Sequence, residues 1–166
     1  MQPVKIQALS AEAFAPFGEV IEALGIATAA NQDCAQRFDA PINMASVDAR
    51  TTRLHTAIYR IKQSALPFQL TLMERHPLSP QLFFPNSGKR FLVCACPQLA
   101  DGTPDLAQLR AFAGQHTQGI VWRTNVWHSP FAALDEDGDF LMQQWMCDGA
   151  LECEELPLAE PVSIEA

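Results

Sequence analysis

Phe68-Gln69-Leu70-Thr71-Leu72-Met73-Glu74-Arg75-His76-Pro77, closely followed by Gln81-Leu82-Phe83-Phe84-Pro85, is the stretch that decides how this chain folds. Alternate residues of a β-strand share a face. Leu70, Leu72, Glu74 and His76 are therefore expected along one side, with apolar members leading to two polar groups at the strand end. Proline at 77 and 80 divides this run from the next, so the pattern is two short strands joined by a turn.

The same grammar extends outward. Short runs rich in β-branched and aromatic residues occupy Glu19 to Glu22, Thr51 to Ile61, Phe91 to Cys96, Gly119 to Arg123 and Phe140 to Met146. Turn residues separate them, and twelve prolines argue for many turns and against a parallel α/β sheet. Several short strands at regular spacing predict a mainly β barrel or sandwich. Helical signals are few. Ser10 caps a short helix through Glu12 to Phe14, and Asp105 caps an expected helix from Leu106 to Ala113 that Gly114 stops.

With 166 residues, 48% of them hydrophobic, the chain fits one globular domain over residues 1–166. Residues from about 153 to 166 are expected as a tail, an extended piece with a frayed end. A net charge of −8 with no lysine or arginine cluster argues against nucleic acid as a partner. No run of about eighteen apolar residues suggests a membrane span. An odd count of five cysteines in a chain of this size implies a reduced, cytoplasmic setting. Cys94 and Cys96, two apart in an apolar strand, read as small buried hydrophobes rather than ligands.

Chemistry concentrates in two places. Glu74 and His76 end one strand, and Asn125-Val126-Trp127-His128-Ser129-Pro130 carries a second histidine beside a proline. Glu74-x-His76-x4-Gln81 with the distant His128 has the spacing of the cupin metal motif, with Glu74 and Gln81 in place of a histidine and a glutamate. Oxygen and nitrogen donors of this kind suit a divalent transition metal. In the alternative reading, His76 and His128 act as acid and base, since an ordinary imidazole titrates near neutral pH. Glu74 is then a second base or a partner that orients His76.

The wider wording is more specific. Glu74-Arg75-His76-Pro77-Leu78, Gln81, Phe84-Pro85, Gly88, Pro104-Asp105-Leu106, Leu109-Arg110-Ala111-Phe112 and Asn125-Val126-Trp127-His128 with Pro130 occur in an order that resembles the ureidoglycolate lyase family. The match runs from about Leu9 to Leu156 and includes Ala13-Phe14, Phe17-Gly18 and Val20-Ile21. Two departures stand out: Gln144-Trp145 occupies the place of an Asp-Arg pair, and Asp33 that of a glycine.

This resemblance implies a cupin-like β-barrel, a homodimer, an associated Ni²⁺ ion, and cleavage of (S)-ureidoglycolate to glyoxylate and urea in allantoin breakdown. Such a site needs a cation for the carboxylate, donors for the urea end and an apolar wall. Arg37 and Lys89 are the candidate cations. Arg75 is disfavoured, because alternation turns it away from Glu74 and His76. Asn125 and Gln144 suit the urea, and Phe83 and Trp127 the wall. The other functions considered are a non-catalytic binding module for a small carboxylate and a related enzyme acting on another ureido or hydroxy acid.

Overall fold

A computed structural model describes residues 1–147 and 152–166. Fourteen strands dominate these residues. β6 (Phe68–Arg75), β8 (Arg90–Cys96), β9 (Arg110–Gln115), β11 (Trp127–His128), β14 (Glu154–Glu165) and β1 (Val4–Ala8) pair in the order β11-β6-β14-β1-β9-β8. β11 also pairs with β8, which closes the six strands into a ring, and β12 (Ala132–Leu134) extends the sheet beyond β8. A second sheet has the order β2-β10-β7-β13-β5, from β2 (Gly18–Ile21), β10 (Gly119–Trp122), β7 (Gln81–Pro85), β13 (Gly138–Met146) and β5 (Arg53–Ile61). A small hairpin of β3 (Thr28–Ala30) and β4 (Ala35–Arg37) stands apart.

The expected mainly β, cupin-like barrel is thus the observed fold. Every strand read from the sequence is present, with ends shifted by a residue or two. Most pairings are antiparallel, but β1 runs parallel to both β14 and β9.

Strand alternation makes β8 the divider between two cores. Phe91, Val93 and Ala95 join Phe14, Phe112, Ile120, Trp122, Phe140 and Met142 on one side. Leu92, Cys94 and Cys96 join Leu70, Met73, Ala111, Trp127 and Ile164 on the other. Both cysteines are fully buried, and burial pushes each thiol up to about 12. They pack as small hydrophobes, as their place in the apolar run implied.

Three expectations are corrected. The helix over Leu106 to Ala113 stops after one 3-10 turn, Leu106–Gln108, with Asp105 accepting from the Ala107 backbone. Arg110–Gln115 is strand β9, whose Ala111 and Phe112 pack into opposite cores, an arrangement a strand provides and a helix does not. The expected tail is strand β14, paired with β6 and β1 through Glu165, with Val162 and Ile164 buried. Third, the face expected to run unbroken from Leu70 to His76 shifts within β6. Leu70 packs in the same core as Met73, opposite an irregularity between Pro157 and Val162 of β14.

The helix predicted at Ser10 is present over Ala11–Phe14, its cap accepting from the Ala13 backbone at 3.1 Å. Asp33 has φ 66°, the left-handed conformation that glycine adopts most easily. None of the described helices is long and apolar enough to cross a membrane.

Candidate functional site

A cavity of about 490 Å³ opens beside the end of β6. Glu74, His76, Gln81, Phe83 and Gln144 line it, five residues singled out from sequence. His128 reaches the same place from β11, because that strand pairs His128 directly with Glu74. The His128 Nε2 atom lies 3.6 Å from Glu74 Oε1, and the two imidazole rings are 5.3 Å apart.

Backbone carbonyls fix both tautomers. His76 Nδ1 is 2.9 Å from the Glu152 carbonyl, and His128 Nδ1 is 2.8 Å from that of Val126. A carbonyl only accepts, so each Nδ1 carries the proton and each Nε2 presents a lone pair. Neither Nε2 has a partner among the described residues, and both are buried. Gln81 adds a third such atom. Its Nε2 donates to Gln144 Oε1 at 3.0 Å, which leaves the buried Gln81 Oε1 without a donor.

Burial also governs charge here. Burial above all, and then the neighbouring His76, drives His128 down to about 3, and burial likewise lowers His76. Glu74 moves the other way, up to about 7, because of burial first and the charge of Glu155 second. Burial thus lowers both imidazoles below their ordinary range, which favours their neutral forms. Two neutral imidazoles with bare Nε2 atoms and one carboxylate form a ligand set. Ligand atoms of Glu74, His76 and His128 all lie within 4.8 Å of one another. These buried polar atoms, two nitrogens and an amide oxygen beside a carboxylate, are donors of the kind a divalent cation takes.

Four sequence candidates lie elsewhere. Arg37 is on the exposed β3–β4 hairpin and pairs with Asp39 at 3.1 Å. Lys89 is exposed and 3.7 Å from Glu136. Trp127 faces away from the cavity because it precedes His128 on the same strand. Its Nε1 donates to the Gly102 carbonyl, and the Arg75 guanidinium covers its ring at 4.6 Å. Asn125 adopts φ 68° and contributes only its backbone N–H, which donates to the His76 carbonyl at 2.8 Å. Arg75 points outward as alternation required, bound to Glu154, Gln98 and Gly102.

The sequence reading missed His55, Tyr59, Ile61, Phe131, Met142, Glu152, Cys153 and Glu155, all of which line the cavity. Alternation along β5 would have grouped His55, Tyr59 and Ile61, but only sheet register places them opposite β6. Among the described residues no lysine or arginine lines the cavity, and three of those that do are glutamates.

Fold and site together define a cupin-like β-barrel protein with a two-histidine, one-carboxylate cluster able to hold a metal ion. Comparison by sequence narrows the class. The profile of the ureidoglycolate lyase family matches residues 1–165. A ureidoglycolate lyase of Brucella ovis is 35% identical over 145 residues, covering 86% of this chain and 82% of the relative. One from Burkholderia mallei is 35% identical over 152 residues, covering 90% and 86%. The chain belongs to the ureidoglycolate lyase family. Among solved structures, a dTDP sugar isomerase from Desulfovibrio desulfuricans superposes with a TM-score of 0.45 at 14% identity, covering 86% of this chain and 83% of that one.

Proposed function

We propose that the protein is a ureidoglycolate lyase that cleaves (S)-ureidoglycolate into glyoxylate and urea, with a divalent cation held by His76, His128, Glu74 and Gln81. The observation that carries this reading is the pair of buried imidazoles whose Nε2 atoms lack partners and converge on Glu74, in a cavity lined by no arginine or lysine among the described residues. An anionic substrate entering a cavity lined by glutamates needs a positive charge that these side chains do not supply. A cation held there would supply that charge to the substrate carboxylate. Nickel is the ion that family resemblance favours, and the mixed nitrogen and oxygen donors suit it.

The substrate carbon carries a hydroxyl, a carboxylate and a ureido nitrogen. Loss of the hydroxyl proton lets the C–O bond become a carbonyl as the C–N bond breaks. Gln144, its Oε1 engaged by Gln81, keeps two N–H donors for the urea carbonyl. Phe83 and Phe131, 4.3 Å apart, form an apolar wall that limits water around the reacting carbon.

Incubation of nickel-loaded protein with each enantiomer, with urea and glyoxylate measured, tests this function. Release above the spontaneous rate that a chelator removes is expected. No release with either enantiomer overturns it.

A cytoplasmic homodimer is the expected working form. Its support is five unpaired cysteines and the nine-residue edge strand β5, which presents exposed Leu54 and Ile58 beyond β13, its only partner among the described residues. Light scattering on the purified protein reads the mass directly.

A further inference from the structure

We infer that His55 is the group that carries the proton from the substrate hydroxyl to the departing nitrogen, an inference that rests on the lyase reading above. The reaction demands such a carrier, and the two buried histidines are unsuited to it. Each has its Nδ1 proton tied to a backbone carbonyl and its Nε2 lone pair committed to the ligand cluster.

His55 differs in every respect that matters. It sits on β5, in the opposite sheet, with its Cα paired to that of Gln144, which in turn pairs with Gln81. That register puts the imidazole on the cavity wall facing the β6 end. It is partly exposed, and no described residue engages either ring nitrogen by a hydrogen bond or ion pair. The other titratable side chains on the wall are Tyr59 on the same strand and Glu74, His76, Glu152, Cys153 and Glu155 across the cavity. The glutamates gather around the ligand cluster, where Glu155 is paired with Glu74. A carboxylate held at the cluster would leave the ureido end of the substrate to the opposite wall, where Gln144 and His55 stand.

The proton balance closes on one imidazole. Neutral His55 takes the hydroxyl proton, and the O–H electron pair remains on oxygen. That pair forms the carbonyl, the C–N bonding pair moves to nitrogen, and the imidazolium returns its proton there. Oxygen and nitrogen share one carbon, so a single ring edge serves both. The histidine ends neutral, no water is consumed and nothing is oxidised or reduced.

The test compares His55→Asn, His55→Ala and Tyr59→Phe with wild type, all nickel-loaded and acting on (S)-ureidoglycolate. His55→Asn is expected to lower kcat by roughly 10²–10³-fold with KM within about threefold. Nickel affinity and melting temperature stay at wild-type values, because His55 is no ligand and fills no core. Added imidazole restores kcat in His55→Ala. A kcat within about threefold of wild type in His55→Asn overturns the assignment, as does a loss that imidazole leaves unchanged or one that Tyr59→Phe alone reproduces. An inactive wild type refutes the lyase reading itself, a result separate from any of these.

Discussion

The imidazole of His128 lies flat against the indole of Trp122, with ring centroids 4.4 Å apart and planes inclined by 18°. Trp122 is itself 1% exposed and belongs to the core between the sheets. One face of the histidine is therefore sealed by an apolar ring while its edge meets Glu74. Packing holds the Nε2 lone pair in its direction before any ligand arrives. His128→Ala should abolish nickel binding measurable by calorimetry at micromolar concentration, whereas Trp122→Phe should weaken it by about tenfold. Equal affinity in Trp122→Phe and wild type would show that the stacking does not orient the ligand.

In chelator-treated protein, Glu74 makes stability depend on pH. The Glu74 carboxyl moves from an ordinary 4.5 to about 7 on folding. A value raised by folding gives stability that is complete below about pH 4.5 and is lost as pH rises through 7. Glu74→Gln lacks this titration. Between pH 4 and pH 8 the variant should gain on the order of 3 kcal/mol relative to wild type in urea unfolding. His128, lowered from 6.5 to about 3, acts oppositely. Its contribution is present above 6.5 and lost as pH falls through 3, and it is common to both proteins. A difference that stays constant with pH would contradict the buried Glu74.

Gln144 offers a third test, because it fixes which end of Gln81 faces the cluster. Gln144→Leu removes the acceptor, frees the Gln81 amide to turn, and should lower nickel affinity roughly tenfold. Gln144→Glu keeps an acceptor for Gln81 and should retain that affinity within about threefold. Equal losses in the two variants would rule out an orienting role.

Arg75 sits next to both Glu74 and His76 in the chain yet binds Glu154 and covers Trp127 on the far face. Arg75→Ala should cost about 1–3 kcal/mol of stability, read by chemical unfolding. At 25 °C kcat should change by less than about twofold. A large fall in kcat without a loss of stability would instead make Arg75 part of the site.

Among the described glycines, Gly18 has the closest neighbour to a Cβ. A Cβ at Gly18 would lie 1.9 Å from the Val121 carbonyl oxygen and 2.9 Å from the Phe14 ring. Gly18→Ala should therefore destabilise by roughly 1–3 kcal/mol or more, seen as a lower melting temperature, since backbone blocks any rearrangement. An unchanged melting temperature would refute that packing.

Alternation made much of the site legible. It paired Glu74 with His76, turned Arg75 outward and put Gln81 and Phe83 on the next strand's inner face. The same rule, applied to Trp127-His128, would have turned Trp127 away. Neighbours in a strand oppose each other, so one such pair cannot line the same cavity. Arg37 and Lys89 came from a need for positive charge, and no local pattern tied either to the cavity. His55 was hidden for a different reason. Its place opposite Gln144 depends on the pairing of β5 with β13, strands some eighty residues apart, and register of that kind leaves no local trace. The electrostatics were equally non-local, since burial decided the charge of both histidines.

The position of β14 imposes an order in time. The strand bearing Glu74 is flanked by β11 on one edge and β14 on the other, and β14 follows every other described strand in the chain. The Glu152 carbonyl that fixes the His76 tautomer leads directly into it. A ribosome-bound chain still lacking these residues has both histidines but neither the clamp on β6 nor the carbonyl. The last strand in the chain therefore completes the surroundings of Glu74 and His76, which earlier strands alone leave open on one edge.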